Sequence, residues 1–168
     1  LFTVLAEHIE VTEVLYPGSY VDIAPSFVWS SVTYVDIDRR AARFFADSDG
    51  VDELLAGRGA TARQVRFVHA DYTGELDLPD DSFDLLVSLY AGFVSEHCTR
   101  HLRPGGHLLV NSSHGDAAMA SIDDRYRLVG VVTSRTDRHG VRTDDLDSYL
   151  VPKRDVEVTA ELLHRTGR

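Results

Sequence analysis

The chain has 168 residues, 43% of them hydrophobic, and this length and composition predict one domain that spans residues 1–168. Its formal net charge of −10 repels phosphate backbones and anionic membrane surfaces, so nucleic acid and membranes are disfavoured as partners. One cysteine excludes an intramolecular disulfide, and no apolar stretch approaches the roughly 20 residues that span a bilayer, so we expect a cytoplasmic protein.

Strands and helices are predicted to alternate along most of the chain. Helical spacing of apolar residues occurs at both ends and between the predicted strands, which are short runs nearly continuous in apolar residues. In chain order we predict a helix at 1–9, strand 14–16, a helical turn at 26–30, strand 32–35, one or two helices over 39–55 broken at 49–50, strand 65–68, strand 85–89, helix 94–102, strand 108–111, helix 116–122 and helix 156–163. This alternation predicts a doubly wound α/β sheet with helices on both faces.

The C-terminal part of the chain predicts a different connection. Residues 126–132 and 146–151 have the composition of a sixth and a seventh strand, and the segment 133–145 between them is too polar for a crossover helix. A short connection of this kind joins antiparallel strands. We therefore expect one antiparallel pair near the end of the chain.

Two motifs in the middle of the chain are the most informative. Asp71-Tyr72 follows the third predicted strand, and Leu102-Arg103-Pro104-Gly105-Gly106 precedes the fifth. Together with the acidic turn at 80–84 they resemble the second half of class I S-adenosylmethionine-dependent methyltransferases, in which an acidic residue after strand three meets the adenine. The resemblance covers residues 13–151. It implies a seven-stranded, mostly parallel sheet with an antiparallel C-terminal strand in a three-layer α/β/α domain.

The loop after the first strand departs from the pattern of that family, in which an acidic residue is followed by glycines at alternate positions. Only Gly18 remains, because Tyr16 stands at the acidic position and Tyr20 and Asp22 replace the second and third glycines. In one interpretation Gly18 and Ser19 still offer backbone groups to the cofactor, and Asp22 supplies a carboxylate to its ammonium or sulfonium. In the other, Tyr20 fills the space and the cofactor is not accepted.

Acidic residues end the second and third predicted strands. Asp36 lies 18 residues beyond Gly18, close to the ~20-residue offset at which an acidic side chain reaches ribose hydroxyls in Rossmann units. By the resemblance, Asp36 binds the ribose and Ile37 packs on the adenine. The alternative is that Asp36 only caps the helix that begins near Asp38.

Asp71 stands in the corresponding place after the third strand, where its carboxylate can accept from the adenine amino group while Tyr72 stacks on the ring. The alternative for Asp71 is a turn aspartate. Ser88, at the end of the fourth strand, completes the predicted set. The predicted cofactor-binding residues are Gly18, Ser19, Asp22, Asp36, Ile37, Asp71, Tyr72 and Ser88.

No residue is assigned as catalytic, because transfer of a methyl group from a sulfonium depends mainly on positioning and desolvation. Tyr90 and His114 are placed to act as a base if the acceptor must lose a proton, and simple packing is the alternative for each. His97 and His101 have zinc-like spacing, but they lack a second ligand cluster. We interpret them as a partly exposed helix face and predict no metal.

The sequence therefore predicts S-adenosylmethionine-dependent methyl transfer to a small-molecule acceptor. Two alternatives stay open because of Tyr16, Tyr20 and Asp22. In the first, the chain is a non-catalytic scaffold with the methyltransferase fold. In the second, it is a module that binds another nucleoside. No residue pattern indicates the acceptor or the oligomeric state.

Overall fold

In the computed structural model of the protein, five parallel strands form one sheet in the order β3-β2-β1-β4-β5. The structure describes residues 1–59, 64–135, 138–151 and 156–166. The strands are β1 Glu13–Pro17, β2 Ser31–Asp36, β3 Gln64–His69, β4 Phe83–Ser88 and β5 Leu102–Val110. The chain runs outward from β1 to β3 and then returns to the other side of β1. This change of direction leaves a topological switch point between β1 and β4.

Helices cover both faces of the sheet. They are α1 Phe2–Ala6, α2 Arg39–Ala46, α3 Ser48–Ala56, α4 Val94–Cys98, α5 Asp116–Ser121 and α6 Ala160–Thr166. Because successive strand residues point to opposite faces, Val14 packs with residues of α1, α2 and α3 while Leu15 packs with residues of α4. The predicted doubly wound, three-layer α/β/α class is confirmed. No helix within the described ranges has the length and hydropathy needed to cross a membrane.

Aromatic rings attach α2 to the sheet. The ring of Phe45 lies 4.8 Å from the ring of Tyr34 on β2 and 4.8 Å from the ring of Phe67 on β3, measured between centroids. Offset pairs of this kind add about 0.5–1.5 kcal/mol each beyond the burial of their surface. The pairs fix α2 directly beside the carboxyl end of β2.

The predicted helical region at 39–55 is two helices. Asp47 ends α2 and begins α3, and its carboxylate accepts a hydrogen bond of 3.1 Å from the backbone N–H of Gly50. The predicted break at 49–50 is therefore displaced by two to three residues, because an aspartate cap rather than the glycine starts the second helix.

The connection from β1 to β2 contains no α-helix. Residues 18–30 hold only a 3₁₀ helix of 4 residues, Ala24–Phe27, which begins earlier than the predicted turn at 26–30. Parallel strands are usually joined through an α-helix. Here the buried side chains of Ile23 and Trp29 cover this part of the sheet instead. No α-helix therefore begins at the end of β1.

The C-terminal strands correct the predicted strand count. Strands β6 Val131–Arg135 and β7 Arg138–Arg142 pair antiparallel with each other and are separate from the parallel sheet. Within the described residues the prediction of a seven-stranded sheet is therefore wrong. Most of this hairpin lies in the polar segment 133–145, which was predicted to be a connection. The segment can still form strands because backbone pairing needs no apolar side chains. The predicted strand 146–151 instead contains the 3₁₀ helix Leu146–Tyr149.

Candidate functional site

Four connections meet at the carboxyl end of the sheet, on both sides of the switch point. In an open α/β sheet, ligands bind in the crevice at this place. All eight predicted site residues lie here: Gly18, Ser19 and Asp22 after β1, Asp36 and Ile37 at the end of β2, Asp71 and Tyr72 after β3, and Ser88 at the end of β4.

Two residues of the loop after β1 have left-handed backbones, and only one of them is a glycine. Gly18 has φ 64° and its N–H donates to the carbonyl of Val35 at 2.8 Å. Tyr20 has φ 49°, in the left-handed region that glycine normally occupies. Its side chain is 43% exposed, and so it does not fill a buried cavity.

Two of the substituted loop positions are partners of each other. The hydroxyl of Tyr16 donates to Oδ2 of Asp22 at 3.2 Å, and Oδ1 of Asp22 accepts from the N–H of Ala24 at 3.0 Å. Burial raises the pKa of the Tyr16 phenol, and the Asp22 carboxylate raises it further. In the family pattern the acidic residue stands at position 16. In this chain the acidic residue is Asp22, at the far end of the loop, and the phenol of Tyr16 donates a hydrogen bond to it.

Asp36 fastens the loop after β1 to the end of β2. Its side chain is nearly buried, Oδ2 accepts from the N–H of Tyr20 at 2.7 Å, and Oδ1 accepts from the N–H of Asp38 at 2.7 Å. The N-cap of α2 is Asp38, which accepts from the N–H of Arg40 at 2.6 Å. Asp36 is therefore not the helix cap. Each of its oxygens retains accepting capacity, since a carboxylate has about four lone-pair sites.

An exposed apolar side chain follows β2, and a carboxylate follows the neighbouring strand β3. Ile37 is 64% exposed, and its carbonyl lies 3.0 Å from Nε2 of His69. Asp71 accepts from the N–H of Thr73 at 2.9 Å and from its hydroxyl at 2.8 Å, and these hydrogen bonds lower the pKa of the Asp71 carboxyl. Asp71 thus has a role in its turn, and its contact with adenine stays a prediction.

The connections after β1 and β4 touch across the switch point. A Cβ placed on Gly18 would lie 2.5 Å from Cβ of Ala91 and 3.6 Å from the ring of Tyr72, and a Cβ on Gly92 would lie 2.7 Å from the Tyr72 hydroxyl. Burial, with smaller effects from Cys98 and other acidic groups, raises the pKa of Tyr72 to about 12. The ring of Tyr72 is thus packed against both connections.

Sequence reasoning missed Asp116, which lies beneath this contact. Its side chain is 1% exposed and accepts hydrogen bonds from the hydroxyl of Ser88, from the hydroxyl of Ser95 at 2.5 Å and from the N–H of Ser95 at 3.2 Å. The predicted site residue Ser88 is therefore buried and engaged. In the sequence Asp116 looks like an ordinary cap of an alanine-rich helix, and no signal there marks it as buried.

Two residues proposed as bases have left-handed backbones. Tyr90 and His114 both have φ 59°, Tyr90 is 74% exposed, and Nδ1 of His114 lies 2.8 Å from the hydroxyl of Ser113. Non-glycine residues in this region cost of order 1–3 kcal/mol and are frequent at functional sites. The backbone conformation therefore keeps both residues as candidates.

Only one histidine of the pair that follows β4 is at the surface: His97 is exposed, and His101 is buried. His101 is 1% exposed, belongs to the 3₁₀ helix Thr99–His101, and has Nδ1 at 3.1 Å from the carbonyl of Pro79. The interpretation of His97 and His101 as a partly exposed helix face is wrong for His101, because the helix tightens before it and turns its ring inward. Within the described ranges, no three His, Cys, Asp or Glu side chains are grouped to hold a metal ion.

An uncharged groove adjoins the site on the side of β5. Its volume is about 520 Å³, and it lies between α1, β5, residues 128–132 and β7. None of the described residues that line it is Asp, Glu, Lys or Arg. Its polar lining residues are His8, Tyr90, His107, Asn111 and Thr143. The groove therefore reaches the carboxyl ends of β4 and β5 through Tyr90 and Asn111.

The fold and the site together define a Rossmann-like domain with its ligand crevice at the carboxyl end of the sheet. The sequence profile described as "Methyltransferase domain" matches residues 16–110 of this chain. The match covers more than half of the chain, which therefore belongs to the methyltransferase domain family. No curated protein matches the chain.

Solved structures of low sequence identity resemble the chain. The YcgJ protein of Bacillus subtilis is 19% identical, with a TM-score of 0.49 over 70% of this chain and 52% of that protein. A SAM-dependent methyltransferase of Methanosarcina mazei is 17% identical, with a TM-score of 0.47 over 85% of this chain and 76% of that protein. The chain thus spans about half the length of YcgJ.

Proposed function

We propose that this domain binds S-adenosylmethionine at the carboxyl end of β1, β2 and β3 and transfers its methyl group to an uncharged small molecule. The observation that carries the proposal is the pair at the end of β2, where the nearly buried Asp36 carboxylate adjoins the 64% exposed side chain of Ile37. A carboxylate suits two ribose hydroxyls, and an exposed apolar side chain suits one face of a purine ring.

The residues present fit the adenosine portion of this cofactor. Asp36 has free accepting sites beyond its two backbone partners, and Asp71, which follows the neighbouring strand β3, is exposed. The methionine portion would run along Gly18 and Ser19, with Asp22 near its ammonium group. Because Gly18 already contacts Ala91, binding this portion requires the connection after β4 to move outward.

When bound, S-adenosylmethionine supplies a methyl group on a positively charged sulfur, and its transfer to a lone pair of the acceptor leaves S-adenosylhomocysteine while the acceptor releases a proton. This chain's residues have to orient the acceptor and exclude water around it. Tyr90 and His114 stand at the ends of β4 and β5 and are the groups placed to accept that proton.

The acceptor is assigned to the uncharged groove. Ligand pockets for small molecules usually have volumes of about 300–1,000 Å³, mostly apolar walls and a few polar groups. The groove of about 520 Å³ has this character. In a chain with 27 acidic and 17 basic residues, a lining without charged side chains favours an uncharged acceptor.

Calorimetric titration with S-adenosylmethionine and S-adenosylhomocysteine tests the proposal. Ile37→Asp should raise the dissociation constant of both by at least about tenfold, because it replaces the apolar contact with a charge. Leu54→Asp, at a side chain 41% exposed on α3, is the control and should leave binding unchanged. Since both positions are exposed, neither variant should change the free energy of unfolding by more than about 0.5 kcal/mol.

Absence of binding to the unmodified protein at millimolar ligand would refute the proposal and favour a non-catalytic scaffold. A response to adenosine but not to the complete cofactor would instead point to a nucleoside-binding module. Equal binding by the Ile37→Asp and Leu54→Asp variants would show that the adenine does not lie at Ile37.

A further inference from the structure

Asp116 is a buried carboxylate with neutral partners only. Three groups donate hydrogen bonds to it: the hydroxyls of Ser88 and Ser95, and the N–H of Ser95, which is shared between the two carboxylate oxygens. Asp116 takes part in none of the ion pairs found among the described residues. A buried charge is normally compensated by a cation, because removal from water is costly. The hydrogen bonds therefore orient this carboxylate, and no cation stands beside it among the described residues.

The carboxylate lies next to the switch point. Ser88, which donates to Asp116, is the last residue of β4, the strand that adjoins β1. The negative charge of Asp116 also contributes to the raised pKa of Tyr72, and the ring of Tyr72 is packed where Gly18 and Gly92 face it. Asp116 is therefore below the place where the connections after β1 and β4 meet.

The surroundings of Asp116 weaken the screening of its charge. Burial and, to a smaller extent, Asp116 together raise the pKa of the Cys98 thiol to about 12. Val94 and Cys98, which lie on either side of Ser95 in α4, are fully buried. A charge in such an environment acts on a ligand at several ångströms more strongly than a surface charge does.

We propose that Asp116 is a specificity-determining residue that favours the sulfonium of S-adenosylmethionine over the neutral thioether of S-adenosylhomocysteine. The inference rests on the proposed function. Both ligands carry the same ammonium and carboxylate groups, so only the charge on sulfur distinguishes them. The carboxylate attracts the positively charged sulfur through its electric field. It therefore also favours release of S-adenosylhomocysteine, whose sulfur is neutral.

The variant Asp116→Asn removes the charge and keeps the hydrogen bonds. The amide oxygen can accept from Ser95, while the amide nitrogen donates to the hydroxyl of Ser88, which can accept as well as donate. The matched control is Asp84→Asn. Asp84 accepts from two backbone N–H groups at 2.9 Å and pairs with Arg103 at 2.8 Å, but it lies at the amino end of β4, on the opposite edge of the sheet.

Three ligands separate a charge effect from a structural one. They are S-adenosylmethionine, sinefungin, which carries a protonated amine in place of the sulfonium, and S-adenosylhomocysteine. Measured by calorimetry, Asp116→Asn should weaken the two cationic ligands about tenfold and change S-adenosylhomocysteine by less than about twofold. Asp84→Asn should change all three by the same factor, because its effect on folding does not depend on the ligand.

Equal weakening of all three ligands by Asp116→Asn would overturn the inference, and so would unchanged binding of all three. Either result leaves the proposed function in place, because the unmodified protein still binds the cofactor. If the unmodified protein binds none of the three ligands, the proposed function fails and this inference fails with it.

Discussion

At the scale of single residues, the side chains that depart from the family pattern in the loop after β1 have defined structural roles. Tyr20 has a positive φ, which glycine adopts most readily, and the hydroxyl of Tyr16 donates to the carboxylate of Asp22. The substitutions at positions 16 and 22 are therefore compensated within the loop. This pairing explains how a chain that lacks the family's acidic residue still builds an ordered connection there.

The Tyr16–Asp22 hydrogen bond predicts a measurable coupling. Tyr16→Phe should lower the free energy of unfolding by about 1–2 kcal/mol, because a hydrogen bond to a carboxylate is lost at a side chain that is 3% exposed. A double-mutant cycle with Asp22→Asn, followed by urea unfolding, should give a coupling energy of about 1 kcal/mol. A coupling energy near zero would mean that the two side chains do not stabilise each other.

The positions of some candidate residues were predictable from the sequence, and those of others were not. Asp36 and Asp71 were placed at the carboxyl edge of the sheet because each follows an apolar run closely, and their contact with a cofactor stays a prediction. Asp116 was not found, because its buried carboxylate accepts from the hydroxyls of Ser88 and Ser95, which are distant from it along the chain. The contact between Gly18 and Ala91 is equally invisible in a linear pattern.

At the scale of elements, the connections after β1 and β4 form one contact across the switch point. Gly18 can approach Ala91 closely only because it has no side chain, and its φ of 64° also favours glycine. The width of the ligand crevice is consequently set by these two connections. Movement of the connection after β4 is the change that would widen it.

Gly18→Ala should destabilise the protein by about 2–4 kcal/mol, from backbone strain of about 1 kcal/mol and from overlap with Ala91. Gly105→Ala is the matched control, since Gly105 has φ 81° and no neighbouring atom within 4 Å, and it should cost only about 1 kcal/mol.

The double variant Gly18→Ala/Ala91→Gly should be more stable than Gly18→Ala alone. Its free energy of unfolding, measured by thermal or urea unfolding, should approach that of Gly105→Ala. If the double variant is no more stable than Gly18→Ala, the two connections are not in contact.

The strands of the sheet were predictable, and the ends of the chain were less so. Short, nearly continuous apolar runs identified all five parallel strands, because strands covered by helices favour such runs. The hairpin of β6 and β7 was misplaced, because its second strand includes the polar residues Arg138, His139 and Arg142 and carries little apolar signal. The absence of an α-helix between β1 and β2 depends on the packing of Ile23 and Trp29, which no local propensity reports.

At the scale of the whole molecule, the groove beside β5 can be tested as a binding site for uncharged compounds. The fluorescent naphthalene ketone prodan is neutral, elongated and brighter in apolar surroundings. Val129→Asp, at a groove side chain that is 52% exposed, should weaken prodan binding about tenfold or more. Val156→Asp, at 51% exposure outside the groove lining, should leave it unchanged. Equal binding by the two variants would show that the groove is not the site.

The buried thiol of Cys98 and the partly buried phenol of Tyr72 lead us to expect a loss of stability at alkaline pH. Burial raises the pKa of Cys98 from 9.0 to about 12 and that of Tyr72 from 10.0 to about 12. These folded-state pKa values lie above the unfolded ones. The two groups therefore make their full contribution to the free energy of unfolding below about pH 9, and this contribution is lost as the pH rises toward about 12. Urea unfolding across this range should show the decline. In the Cys98→Ala variant the decline should be smaller between about pH 9 and pH 10; an unchanged slope would exclude the thiol as a cause.

The short link between β1 and β2 has a consequence for how the chain folds. With only residues 18–30 between them, the two central strands meet at a small loop-closure cost, whereas β4 must find β1 across a much longer stretch of chain. Contacts of low sequence separation form fastest. The half of the sheet that carries Asp36 should therefore assemble before the half that carries Ser88, so that closing the crevice between them is a late event in folding.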